Sequence, residues 1–366
     1  MSSRVHGAWA CVVGLCVRPR FFNGVSTMKC HEFSNRLLAV SLFAAIACTS
    51  LAGAAQEMQP GKGVAVIPVK STDQGVSFQN QLVVRGLKDL GYDVKEAREV
   101  EYATAHIAIA NGDATFLAGS WEPLHNDFYE KSGGDAKLVR AGSLSANAKQ
   151  GYLIDKKTAD QHHITNIDQL KDPSIARLFD TDGDGKADLT GCTPGWACEK
   201  IIENLLKSSG LQTTVSQKTG AYSALMADVI ARYKEGKPVL YYTWTPYYVS
   251  ALLVPDKDVI WLEVPAPAGE PQPIGKYYGY AVNTQHVVAN KAFVEANPAA
   301  GKFFQLVNID VNDINAQNNR LFSGEKTPAD IERHVALWIK SHQKTYNDWL
   351  AAARSAGEKP SLQAGQ

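Results

Sequence analysis

The sequence is short of the features that would tie it to a membrane, a nucleic acid or a catalytic cycle. After its N-terminal segment no stretch is apolar for long enough to cross a bilayer. Basic and acidic residues are equal at 37 each, so no net charge draws the chain to a polyanion. A G-x-S-x-G elbow and an HExxH pair are both missing, and no other nucleophile motif stands out, which leaves a secreted enzyme without its usual machinery. There is no internal repeat and no low-complexity run. Cysteine is scarce: of six, four (Cys11, Cys16, Cys30, Cys48) fall in the first 55 residues, and only Cys192 and Cys198 lie beyond.

What is present begins with a targeting pattern. From Met28, "MKCHEFSNRLLAVSLFAAIACTSLAGAAQ" has a basic start (Lys29, Arg36), an apolar core from Leu37 to about Cys48, and the small residues Ala52-Gly53-Ala54-Ala55. That is the form of a cleaved secretory peptide, and its core is too short to span a membrane. Residues 28–55 are therefore read as a signal peptide and 1–27 as an upstream extension. Lipid attachment at Cys48 is the alternative. Export from the cytoplasm is expected. Residues 1–55 hold five basic residues and one acidic, which leaves a mildly acidic body of 32 basic against 36 acidic residues. Export to an oxidising compartment favours a Cys192–Cys198 disulfide, with two buried thiols as the alternative. So short a loop would contribute less than the roughly 3 kcal/mol of a 15-residue loop; its larger effect would be to pin Trp196 between the two sulfurs.

The 366 residues suit about two domains. "GVAVIPV" reads as a strand, followed by a turn with cap candidates Ser71, Thr72 and Asp73. The next stretch sets Phe78, Leu82, Val83, Leu87 and Leu90 on one helical face, ended by Gly91. "YDVKEAREV" returns as a strand, and "YATAHIAIANGDATFLAGSW" as helix, break and strand. This alternation predicts parallel strands covered by helices. A second series starts at Gly151 and runs through helices near 199–208 and 222–233 to the strand "KPVLYYTWTP". A Pro/Gly-rich loop follows, then a mostly helical tail from about Lys291 in which Trp338 and Trp349 are core candidates. The last ten residues are expected to fray. The fold class predicted is α/β, a two-lobed binding protein. Lobe one takes 57–149 and 279–355, lobe two 150–278, with a hinge of two crossovers near 149 and 278.

Three tryptophans stand at element ends. "GCTPGWACEK" puts Trp196 at the mouth of a helix whose periodic residues are Ile201, Ile202, Leu205 and Leu206. The amides of Ala197 and Cys198 then have no partner inside that helix, and such a terminus suits a carboxylate. "GSWEPLHNDFYE" spaces Trp121 and His125 four apart, so that both can face one site, with Pro123 suggesting a helix start just beyond Trp121. "VLYYTWTPYY" puts Trp244 at the C-terminal end of a strand, where α/β folds bind ligands. Quaternary ammonium donates no hydrogen bonds and is held by aromatic faces, each contact worth roughly 2 kcal/mol when desolvated. Each tryptophan alone would more often be packing; the combination points to a small zwitterion.

At these residues the chain resembles the periplasmic glycine betaine/proline betaine-binding proteins of ProU-type osmoprotectant ABC importers. The resemblance runs from Pro60 to about Trp349 and is most specific at "NGDATF", "W-x-PLH", "GYLIDKKTADQ", "LFDTDGDGKADLTGC-x-PGW-x-C", "YKEGKPV-YYTWTPY" and "DINAQN". It implies an indole box of Trp121, Trp196 and Trp244 around the trimethylammonium group. It also implies carboxylate contacts from His125 and from the backbone of Ala197 and Cys198, and a bridge between Cys192 and Cys198. One position departs from the pattern: the residue after the second tryptophan is ordinarily glycine and here is Ala197, which keeps the amide and adds a methyl. The resemblance implies a periplasmic substrate-binding protein of type II, without cofactor, that captures its ligand without catalysis, as a monomer, for delivery to a membrane permease and its ATPase.

Other readings remain open at this level. Choline or carnitine are alternative ligands, although choline lacks the carboxylate. A secreted enzyme would draw on His125 with Asp127 or Glu122. "DTDGDGKAD" spaces Asp180, Asp182, Asp184 and Asp188 like positions 1, 3, 5 and 9 of a calcium loop, with Gly185 at position 6, but position 12 is Gly191. It reads either as a structural Ca²⁺ site or as an Asp/Gly turn, and a calcium-dependent surface module is a third functional reading. The His162-His163 pair has no metal spacing and is expected at the surface.

Overall fold

A computed structural model describes residues 58–266 and 275–358. The signal peptide, the upstream extension, Cys48, the middle of the Pro/Gly-rich loop and the last eight residues lie outside them. The strands are β1 (Ala65–Val66), β2 (Pro68–Lys70), β3 (Asp93–Val94), β4 (Arg98–Glu99), β5 (Phe116–Glu122), β6 (Leu138–Asp155), β7 (Ala187–Thr190), β8 (Val215–Lys218), β9 (Leu240–Thr245), β10 (Val259–Trp261) and β11 (Asn283–Asn290). The main sheet runs β4-β2-β5-β11-β6-β9-β7-β8, with β10 also on β6.

The sheet is mixed, which corrects the expected parallel arrangement. β2 pairs in parallel with β4 and β5, and β7 with β8 and β9. The middle is antiparallel, because β11 and β6 run opposite to the strands beside them. β6 is 18 residues long and serves both halves. Its first part, through Ala148, pairs with β11, and from Lys149 onward it pairs with β9. The predicted crossover at residue 149 therefore falls within a continuous strand. The segments "GVAVIPV" and "YDVKEAREV" are each split into two short strands, β1 with β2 and β3 with β4.

The helices follow the sequence periodicity. Ser77–Asp89 buries Phe78, Leu82, Val83 and Leu87, and Gly86 lets Phe303 approach so closely that a Cβ there would meet its ring at 2.0 Å. Ala197–Ser208 and Tyr222–Lys234 lie within a residue or two of their predicted bounds. Between Lys291 and Glu358 the tail is five successive helices, and Trp338 and Trp349 are buried in one core with Phe303, Phe304 and Val335. At about 25 cal/mol per Å² of apolar surface removed from water, such aromatic side chains dominate the stability of this layer. His163 caps the helix Lys156–His162 at the exposed surface.

Candidate functional site: an aromatic cavity at the strand ends

Each of the three element-end tryptophans is set in place by a different local device. Trp121 lies in β5 just after a bulge: β11 pairs with Ser120 and then with Ala118, skipping Gly119. Gly119 has φ +85°, which L side chains rarely adopt, and a bulge here re-aims the following side chains. Trp196 is the N-cap residue of the helix Ala197–Ser208. It sits between Cys192 and Cys198, which are bonded to each other. Glu199, in the first turn, accepts from the amide of Gly195 at 2.8 Å and fixes the approach to the helix. Trp244 lies in β9 opposite Gln150 of β6, and Tyr242 shares its face two residues earlier.

These three rings, with His125, Ala197 and Cys198, line one narrow, tightly closed cavity. All six residues singled out in the sequence thus border the same space. Trp196 and Trp244 meet edge to face at 5.9 Å. Behind them Tyr247 lies 4.3 Å and Tyr222 4.7 Å from Trp244. The wall is an aromatic cluster with electron-rich faces, the surface an onium ion prefers.

The polar lining is mostly donors. The N–H of Trp121 donates to His125 Nδ1 at 3.1 Å. Nδ1 is therefore the acceptor nitrogen, and Nε2 carries the proton of the neutral ring. Burial holds the His125 pKa well below the usual histidine value, with the charges of His106 and Arg140 adding to the effect. Ser120 Oγ lies 3.2 Å from His106 Nε2 and 3.4 Å from His125 Nδ1, a second layer that orients the ring. The amides of Ala197 and Cys198 occupy the first two positions of their helix and have no intrahelical acceptor. Tyr102 Oη and Gln150 Nε2 are buried without a hydrogen-bond partner among the described residues, and both residues line the cavity. Unspent buried polar groups are costly and point to a polar group supplied from outside.

Sequence reasoning missed Asp73, Tyr102, Leu124, Gln150 and Tyr242 as lining residues. Period-two spacing from Trp244 would have found Tyr242. Gln150 needs the β6–β9 register. In sequence Asp73 reads only as a cap candidate, a role it does fill by accepting from the Gly75 amide at 2.8 Å. His125 is itself the N-cap position of a helix starting at Asn126, a few residues later than expected.

The acidic loop lies apart from this cavity. Carboxylate oxygens of Asp180, Asp182 and Asp188 come within 4.8 Å of one another, without Asp184. Asp184 accepts from the Lys186 amide instead. Lys218 Nζ stands 2.6 Å from Asp182 and 2.9 Å from the buried Asp188. Burial would raise the Asp188 pKa, but bonds from Thr181, Lys218 and Ser216 outweigh it and bring the carboxyl below its ordinary value.

An α/β fold with an aromatic, donor-lined cavity at strand and helix ends is the architecture of a solute-binding protein. Residues 66–341 match the family described as the substrate-binding domain of ABC-type glycine betaine transport systems. The chain belongs to that family. It is 54% identical over 304 residues to the glycine betaine/proline betaine-binding periplasmic protein of Escherichia coli, covering 81% of this chain and 92% of that relative. It is 52% identical over 307 residues to the glycine betaine-binding periplasmic protein OusX of Dickeya dadantii, covering 82% and 92%. In fold it is similar to lactococcal OpuAC, solved closed around glycine betaine, with TM-score 0.62, 21% identity and coverage of 78% and 99%. An ABC-transporter choline-binding protein solved with choline aligns with TM-score 0.64, 16% identity and coverage of 80% and 96%.

Proposed function

We propose that this chain captures glycine betaine and proline betaine in the periplasm and delivers them to the membrane permease of an ABC importer, whose ATPase drives uptake for osmoprotection. The observation that carries the reading is one cavity bordered by three indoles on one hand and by His125 with the Ala197 and Cys198 amides on the other. Trp121, Trp196 and Trp244 hold the methylated onium by their π faces. The His125 Nε2–H and the two helix-terminal amides hold the carboxylate. The chain acts as a monomer that binds without turnover: the Nδ1 of His125 is taken by the Trp121 amide, and the Ser120 hydroxyl beside it is shared with His106.

The Ala197 methyl borders the ligand and narrows the carboxylate end relative to glycine. The loop Asp180–Asp188, whose Asp182 and Asp188 are paired with Lys218, is a structural element, a turn or a Ca²⁺ seat, on which ligand capture does not depend. Calorimetric titration with glycine betaine, proline betaine, choline, carnitine and proline tests the reading. Tight, product-free binding of the two betaines above choline supports it. Equal or preferred binding of choline refutes the carboxylate half, and loss of affinity on Ca²⁺ chelation refutes the account of the loop.

A further inference from the structure

Asp73 is the anionic side chain on the wall of the aromatic cavity, and nothing in the carboxylate-plus-indole account uses it. It is only 4% exposed. One carboxylate oxygen accepts the Gly75 amide, and the Asp73 amide itself is tied to Ser71 Oγ at 3.0 Å. Its position is tightly constrained: a Cβ on Gly75 would meet the Tyr247 ring at 2.8 Å and Asp73 Oδ1 at 3.0 Å.

The groups around it are neutral or acidic. Tyr102 faces it from the helix Tyr102–Asn111, with Glu101 at that helix's N-cap joined to Thr72. Tyr242 faces it from β9, and Tyr247 and Tyr248 from the turn and helix that follow. His125, across the cavity, is neutral. The exposed Lys326 borders the outer groove that Asp73 also reaches, but forms no ion pair with it. Among the described residues no basic side chain pairs with Asp73. A buried carboxylate without a counter-ion is costly, and proteins keep one where a cation is to be met. The cation this cavity is shaped for is an onium, which can offer charge but no hydrogen bond.

We propose that Asp73 is the fixed anion of the binding site: its carboxylate meets the positive end of the ligand, and onium binding is coupled to release of the Asp73 proton to solvent. This rests on the reading of the cavity as an onium site. Burial fits the coupling, since it pushes the Asp73 carboxyl up to about 6, against which the Gly75 bond acts only in part. A ligand cation placed beside it would lower that value again.

The test is calorimetry of the wild type and Asp73→Asn with glycine betaine and with choline, at about pH 5, 6 and 7.5, in two buffers of different ionisation enthalpy. Asparagine keeps the Gly75 cap and the shape and removes only the charge. For the wild type the expected result is release of up to about half a proton per ligand near pH 6 and roughly tenfold weaker binding at pH 5 than at 7.5. Asp73→Asn should release none, bind both ligands several-fold more weakly at pH 7.5, and have a flat profile. A wild type that binds both without proton release, or a variant that keeps the wild-type profile, overturns the role of Asp73 alone. A wild type that binds neither onium overturns this role together with the reading of the cavity.

Discussion

The indole nitrogen of Trp196 lies 3.4 Å from the hydroxyl of Thr72, 124 residues earlier in the chain. The same hydroxyl donates to Glu101 Oε1 at 3.1 Å, so it has a lone pair left for the indole N–H. Trp196 rides on the helix that follows β7, and Thr72 on the turn after β2. The contact therefore fastens the β2 side of the sheet to the β7 side beside the aromatic cavity. Thr72→Val keeps the shape and removes both bonds. At about 1 kcal/mol for a net hydrogen bond, betaine affinity should fall by roughly fivefold, read by calorimetry; an unchanged affinity would mean that the contact does not support the ring.

Trp244 is the ring most deeply embedded in the aromatic wall, with Tyr247, Tyr222, Tyr242 and Trp196 around it. Trp244→Ala removes one π face and leaves a cavity. We expect affinity to drop by about 2 kcal/mol or more, near thirtyfold, and stability by roughly 3–5 kcal/mol. Chemical denaturation beside calorimetry separates the two losses. Wild-type affinity in folded Trp244→Ala would take the ring out of the site.

Much of this arrangement is legible from residues alone, and the pattern of what is not is instructive. Trp196, Ala197 and Cys198 lie at a helix start that capping logic locates, and Trp244 at a strand end that two-residue periodicity locates. Trp121 is harder, because it depends on a bulge at Gly119 that only the β11 register reveals. The mixed middle of the sheet is not legible because strand direction depends on long-range pairing of β6 with β11, from Ala148 with Asn283 to Leu138 with Asn290, which no local signal marks. Asp73 escaped because "STD" satisfies a turn, and its burial against Tyr102 and Tyr247 is a product of folding.

His125 bears on the acid end of the ligand only. His125→Ala should weaken glycine betaine by about tenfold, as expected for a hydrogen bond to a charged group, and leave choline within about twofold. Equal losses for both would assign His125 to packing. Its depressed pKa also has a consequence for stability. The unfolded chain takes up the His125 proton before the native one does, so this contribution is present above the ordinary histidine value and is lost as pH falls toward the native one.

The bridge between Cys192 and Cys198 holds the loop from which Trp196 projects. Reduction should lower betaine affinity while the far core of Phe303 and Trp338 stays folded. Titration with and without reductant, with circular dichroism as the control, checks this. Equal affinities in the two states would mean that Glu199 and the helix alone position the ring.

Asp73 carries a stability prediction of opposite sign to its binding role. Its native carboxyl sits near 6 against an ordinary value of 3.8, so between those values the native state holds more protons than the unfolded one. Stability is then highest at low pH on this account and declines as pH rises through about 6. Asp73→Asn removes the burden of the buried charge and should stabilise the ligand-free protein at about pH 7.5, by up to about 3 kcal/mol, with the gain vanishing toward pH 4. Denaturation at both pH values reads it directly, and a destabilised variant at pH 7.5 would show that the ionised carboxylate is needed for folding.

The most direct measurement is a crystal structure of the mature chain with glycine betaine. The account predicts the trimethylammonium group within about 6 Å of the centroids of Trp121, Trp196 and Trp244, and the carboxylate on His125 Nε2 and the Ala197 and Cys198 amides. A betaine bound elsewhere, with those three rings packed on one another, would contradict it.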